Sequence, residues 1–209
     1  AGGVTSLSHE EQFTHPTSVG RPTPGIEVRV VNDAGGDLAT GEIGELLVRS
    51  GPPGAYTVMK GYLNRREETA AALRDGWFYT GDLGYRDNDG YLYIADRKKD
   101  MILSGGFNIY SKEVEGALAS HPDVADAAVI GVGDEMYGEA VAAFVETEAG
   151  AQPTEDQLID HCRSMIASYK KPKYVVFLDA LPRNAVGKVL KRELPALAPE
   201  TLQPFLKKS

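Results

Sequence analysis

Apolar and polar residues alternate over Ile26–Val31, which predicts a half-buried β-strand. Asn32-Asp33-Ala34-Gly35-Gly36 then supplies turn chemistry before a second strand-like run from Ile43 to Val48. The first third of the chain therefore reads as an antiparallel sheet or small barrel. A Gly/Pro-rich stretch at 51–61 predicts a loop, and an acidic, alanine-rich stretch at 67–73 predicts a short helix leading to Trp77-Phe78-Tyr79. Residues 91–95 and 101–103 have the character of a two-stranded hairpin, joined by the charged run 96–100, and a domain boundary is expected near that run.

Beyond it the period changes. Ser111 is placed to cap a helix with Val114, Ala117 and Leu118 on one face, stopped by His121-Pro122. Strands are expected at 124–132, 140–146 and Tyr174–Leu178. Pro153-Thr154 opens a further helix whose inward stripe is Leu158, Ile159, Cys162, Met165 and Ile166. This alternation describes a small α+β domain, and the terminal Lys207-Lys208-Ser209 is expected to fray.

Composition narrows the function without naming it. The 209 residues are 42% hydrophobic and 25% charged, enough apolar material for one domain or two small ones. No run approaches the roughly 18 apolar residues that span a bilayer, and Ala1-Gly2-Gly3-Val4 has no signal-peptide pattern, so a cytoplasmic location is expected. A net charge of −8 argues against nucleic acid or anionic membrane as partner, and any anion site must be local. The one cysteine, Cys162, falls in the apolar stripe and reads as a core residue. His9, His15, His121 and His161 lack metal-ligand spacing, so no metal site is expected.

Three segments could carry chemistry. In Tyr79-Thr80-Gly81-Asp82-Leu83 a carboxylate follows a glycine; it could cap a turn or point into a cleft and accept hydrogen bonds from a ribose diol. Ser104-Gly105-Gly106-Phe107-Asn108 reads as a strand-to-helix joint whose paired glycines either simply turn the chain or let main chain wall a narrow tunnel. Pro182-Arg183-Asn184-Ala185-Val186-Gly187-Lys188 ends in Gly-Lys but is no phosphate loop. Val189 stands where Ser or Thr is needed and Pro182 where the first Gly belongs. What remains is a lysine that either is solvated or neutralises charge developing on a carboxylate or phosphate oxygen.

Taken in order, these segments resemble the adenylate-forming enzymes, which include acyl-CoA synthetases, luciferases and peptide-synthetase adenylation domains. Gly41-Glu42-Ile43-Gly44-Glu45-Leu46 with Lys60-Gly61-Tyr62 is similar to one family motif and Tyr79 to Leu83 to a second. Asp96-Arg97-Lys98-Lys99-Asp100 through Gly105-Gly106-Phe107-Asn108-Ile109-Tyr110 is similar to a third, and Pro182 to Lys188 to a fourth. The resemblance implies an α+β fold in two parts. Residues 1–98 would be an antiparallel, β-barrel-like subdomain ending the large AMP-binding domain, and 99–209 a small, mobile α+β C-terminal domain.

It also implies roles. Asp82 and Tyr79 would belong to the AMP site, with Asp82 on the ribose hydroxyls; Arg97 would contact the nucleotide near ribose or phosphate; Lys99 would be the hinge; and Lys188 would be the adenylation lysine. Gly105 and Gly106 would line the pantetheine channel once the small domain swings. The implied reaction joins a carboxylic acid to ATP as acyl-AMP and then to CoA, with Mg2+ held mainly upstream of Ala1. The third motif favours the CoA-ligase branch over the Gly-Arg-x-Asp form of peptide synthetases. Ser111 departs from the proline of many CoA ligases, and both suit a helix start. The family's phosphate loop and glutamate-bearing motif would precede Ala1, so the chain is expected to be a portion of a longer enzyme, inactive in adenylation by itself. The other readings are a non-catalytic nucleotide- or CoA-binding module, or an adenylating enzyme loading a carrier-protein thiol or oxygen. The segment around Lys188 further resembles those that lysine acetyltransferases recognise, which makes such an enzyme an implied partner.

Overall fold

A computed structural model describes residues 3–50 and 58–206. The loop expected at 51–61 lies in part, and the fraying end 207–209 wholly, outside the described residues. The chain divides into two compact units, Ala1–Lys99 and Asp100–Ser209, one residue beyond the 98/99 boundary read from sequence.

The first unit is a curled antiparallel sheet. Its strands are β1 (Thr5–Ser6), β2 (Ser18–Pro22), β3 (Ile26–Val31), β4 (Gly44–Ser50), β5 (Leu73–Arg74), β6 (Trp77–Arg86) and β7 (Leu92–Arg97), with short helices α1 (Glu11–Thr14) and α2 (Arg66–Ala72) between them. The order β1-β2-β7-β6-β4-β3 leaves the end strands unpaired with each other among the described residues, so the sheet is a half-barrel. Alternation in β3 and β4 puts Val28, Val30, Leu46 and Val48 on one face with Leu92, and Val31 and Leu47 with Trp77 on the other. The turn between them is held by Asn32, whose Oδ1 accepts the N–H groups of Ala34 and Gly36 at 3.0 and 2.9 Å.

The second unit begins with β8 (Ile102–Ser104) and β9 (Phe107–Ile109), then α3 (Ser111–Ala119), the long hairpin β10 (Val124–Asp134) and β11 (Gly138–Thr147), α4 (Glu155–Met165), β12 (Tyr174–Leu178) and the short α5 (Leu194–Leu197). β12 returns parallel to β11 after α4, while the other pairings are antiparallel. Period-two alternation fills both faces of this sheet. Ala127, Val129, Val141, Ala143 and Val145 meet Val114 and Leu118 of α3 and Leu158 and Cys162 of α4. Ala128, Val132, Ala142 and Phe144 meet Leu181, Leu194 and Leu202 of the C-terminal segment, which therefore straps the sheet's second face.

Four expectations are corrected. The runs 91–95 and 101–103 are not one hairpin: β7 pairs with β6 and β2, whereas β8 pairs with β9 and β11. Alternation marks a strand but does not choose its partner. Residues 104–108 are a β-hairpin turn rather than a strand-to-helix joint. Ser111 does not cap α3, since Tyr110 holds the cap position and makes no side-chain capping bond, and Ser111 is buried, its hydroxyl accepting the Lys191 ammonium at 2.6 Å. Met165 is 57% exposed, because α4 is ending there and Ile166 has already left helical geometry.

Candidate functional site

The first unit brings Asp82 and Arg97 together, whereas in the second the Gly105–Gly106 turn and the Lys188 turn lie toward opposite ends of the β10–β11 hairpin. In the first, β6 and β7 lie in a register that sets Asp82 opposite Arg97, and the Arg97 Nε donates to Asp82 Oδ1 at 2.7 Å. One carboxylate oxygen is thereby engaged by a guanidinium while the half-buried carboxylate keeps lone pairs for a diol. The backbone around it is fixed from three sides. Thr80 Oγ1 accepts the Asp82 N–H at 3.0 Å and donates to the Leu46 carbonyl at 2.7 Å. Glu45, only 8% exposed, accepts the Gly81 N–H at 3.3 Å. Asp96, buried, accepts the N–H of Arg97 at 2.7 Å.

The same Glu45 accepts from the Lys98 ammonium at 3.0 Å, and Lys98 also reaches Asp33 at 2.8 Å. These partners push the Lys98 pKa above its ordinary value, the Asp33 hydrogen bond foremost, and Lys98 in turn lowers that of Asp33. Lys99 follows in an exposed 3-10 turn, Lys98–Asp100. Tyr79 stands apart from the Asp82–Arg97 pair. Its ring packs with Val31, Leu47 and Trp77, and the Arg74 guanidinium lies 3.7 Å over it.

In the second unit Gly105 and Gly106 are the two central residues of the β8–β9 turn, with φ of 57° and 84°. Positive φ at both positions is what a two-residue hairpin of this hand demands, so backbone geometry alone requires glycine-like residues. The Gly105 N–H donates to the Tyr137 carbonyl at 2.8 Å, docking the turn on the β10–β11 loop. A Cβ at Gly105 would come within 3.2 Å of the Tyr137 ring, whereas one at Gly106 would meet nothing. Beside this turn is a cavity of about 480 Å³ lined by Phe107, Tyr137, Ile159, Tyr169, Lys171 and Lys173, among others. Aromatic walls with two ammonium groups suit a ligand that is part apolar and part anionic.

Lys188 lies on a tight turn closed by a bridge between Arg183 and Val189. Asn184 organises it: its Oδ1 accepts the N–H groups of Val186 and Lys188 at 3.1 and 2.9 Å, and its own N–H donates to the Lys188 carbonyl at 2.9 Å. Gly187 takes φ 81°. The Lys188 side chain is exposed, and among the described residues its ammonium has no carboxylate partner, as is also true of Lys60, Lys99, Lys112 and Lys171, whereas Lys98, Lys170, Lys173 and Lys191 are paired. An unpaired ammonium on an ordered backbone can meet an incoming anion without first breaking an ion pair.

Sequence reasoning missed Glu45, Thr80, Arg183 and Asn184 as supporting residues. Asn184, three places before Gly187, carried a readable turn signal. Glu45 and Thr80 work across strand pairs that no local pattern reveals. Among the described residues no group of three or more His, Cys, Asp or Glu could hold a metal ion, and no helix is long and apolar enough to cross a membrane.

The family model described as AMP-binding enzyme matches residues 1–63, and that of the AMP-binding enzyme C-terminal domain matches 113–188. A 2-succinylbenzoate–CoA ligase of Geobacillus kaustophilus is 46% identical over 205 residues, 98% of this chain and 41% of the relative. A long-chain-fatty-acid–CoA ligase of Bacillus subtilis is 48% identical over 180 residues, 86% of this chain and 31% of the relative. The chain spans well under half the length of these curated relatives. Among solved structures, the o-succinylbenzoate CoA synthetase of Bacillus subtilis with its acyl-adenylate intermediate superposes with a TM-score of 0.82 at 39% identity, covering 91% of this chain and 38% of that one. The same synthetase has been solved with ATP and a magnesium ion (TM-score 0.80, 40% identity, the same shares covered). The chain belongs to the adenylate-forming superfamily, and the curated relatives named above are acyl-CoA ligases.

Proposed function

We propose that the chain is the C-terminal part of an ATP-dependent acyl-CoA synthetase that converts a carboxylic acid to its acyl-adenylate and then to a CoA thioester. The observation that carries this reading is the exposed Lys188 ammonium, without a carboxylate partner among the described residues, on a turn whose backbone is fixed by Asn184. In the first half-reaction a carboxylate oxygen attacks the α-phosphorus of ATP and pyrophosphate leaves. Lys188 neutralises charge on the reacting oxygens, Asp82 receives the ribose hydroxyls and Arg97 holds both Asp82 and the nucleotide. Tyr79 shares the Asp82 motif and is assigned to the same nucleotide site on that ground, its ring packing with Val31, Leu47 and Trp77. Mg2+ accompanies ATP and is held mainly by residues outside this chain.

In the second half-reaction the CoA sulfur attacks the acyl carbonyl and AMP leaves. Rotation at Lys99 withdraws Lys188 and brings the Gly105–Gly106 hairpin to the pantetheine, a hinge motion in which a few residues absorb the dihedral change. The aromatic cavity beside the hairpin, with Lys171 at its edge, suits the anionic end of CoA. The cytoplasm, where ATP and CoA are supplied, is the location this chemistry fits. Because Lys188 is exposed, a lysine acetyltransferase could reach it, and acetylation would remove the charge that the first half-reaction uses.

The test is CoA-dependent release of AMP by the full-length enzyme across a panel of aliphatic and aromatic acids. Thioester formation stoichiometric with AMP is expected for at least one acid. Nucleotide and CoA binding with no turnover would favour a binding module instead, and loading of a carrier-protein thiol in place of CoA would change the acceptor.

A further inference from the structure

We infer that Arg183 is a positioning residue that sets the direction in which Lys188 is presented; this rests on the adenylating role of Lys188 proposed above. The Lys188 turn is internally closed by Asn184, but an internally closed turn on a flexible stem could still tilt against the sheet beneath it. One guanidinium prevents that. Arg183 Nη2 donates to Asp126 Oδ2 of β10 at 2.5 Å and lies 3.7 Å from Glu146 Oε2 of β11, while its Nη1 donates to the Gly187 carbonyl at 3.1 Å. Arg183 therefore grips two strands of the sheet and the residue immediately before Lys188 with the same rigid, planar fork. Glu146 reinforces the stem, since its Oε2 also accepts the Leu181 N–H at 3.1 Å.

The two carboxylates occupy the charge of Arg183, so it is poorly placed to act on a substrate phosphate itself. Among the described residues its neighbour Lys188 lacks such partners and is left to do so. Lysine at 183 would keep a positive charge near Asp126 but lose the fork that reaches strand and turn together. Misplacing a reacting group by about 1 Å costs on the order of a hundredfold in rate, which sets the scale of the effect.

The experiment compares Arg183→Met, Arg183→Lys and Asp126→Asn with Lys188→Ala, all in the full-length enzyme. Pyrophosphate exchange reads adenylation, and thioester formation from supplied acyl-adenylate and CoA reads the second step; thermal unfolding is followed in parallel. Arg183→Met is expected to lower kcat of adenylation about ten- to a hundredfold with KM for ATP and the thioester step unchanged, Asp126→Asn to fall the same way to a smaller extent, and Arg183→Lys to recover part of the loss. Normal adenylation by Arg183→Met and Asp126→Asn while Lys188→Ala is inactive would overturn the inference alone. So would an equal fall in both half-reactions accompanied by a lowered Tm, which marks a merely structural role. Normal adenylation by Lys188→Ala would overturn the functional reading on which the inference stands.

Discussion

Cys162 shows how a residue's surroundings decide its chemistry. It is fully buried between α3, α4 and the sheet, and burial raises its thiol pKa from 9.0 to about 11. In the unfolded chain the thiol ionises first, so its contribution to stability is complete below pH 9, shrinks as pH rises from 9 towards 11 and is gone above that. Iodoacetamide at pH 8 should accordingly leave the folded protein unmodified and label one site once denaturant unfolds it; rapid labelling of the native protein would contradict this burial. The candidate site residues differ in how far they could be foreseen. Asp82 and Lys188 stand in motifs that the family resemblance singles out, while each local pattern fits a turn cap or a solvated lysine equally. Glu45 and Arg183 act across 36 to 57 positions of chain, joining Gly81 and Asp126 only after the strands have paired, and local pattern carries no such information.

At the scale of elements, the strands at Ile26–Val31 and Tyr174–Leu178 were legible because their runs of apolar residues allow no helical stripe of comparable quality. Helix α4 was legible from its start: Thr154 accepts the Gln157 N–H at 3.3 Å and the Gln157 side chain accepts the Thr154 N–H at 2.8 Å, a reciprocal capping box. Thr154→Ala should destabilise the protein by about 1 kcal/mol, measurable as a shift in denaturant midpoint with unchanged slope. An unaltered midpoint would mean that packing of Leu158 and Cys162 holds α4 without its cap. What sequence could not show was pairing. The hairpin expected across 96–100 is instead the place where one sheet ends and another begins. The Gly105–Gly106 pair turned out to serve a hairpin, whose two positive φ angles require such residues whether or not a ligand passes.

At the scale of the molecule, an acidic chain of net charge −8 is proposed to handle two polyanions, ATP and CoA. Long-range attraction cannot supply that affinity, so it falls to cations placed locally: Arg97 in one unit, and Lys188 and Lys171 in the other. In the reading proposed above, the second unit carries a cation for each half-reaction, Lys188 for adenylation and Lys171 for the CoA step, while Arg97 stays with the nucleotide in the first. That division is most directly tested by measuring the two half-reactions separately in full-length enzyme carrying Lys188→Ala. Pyrophosphate exchange should fall by roughly a hundredfold or more, as for loss of a preorganised charge at a transition state, while thioester formation from supplied acyl-adenylate and CoA continues at the wild-type rate. Equal losses in both half-reactions, or adenylation that survives without Lys188, would contradict the account.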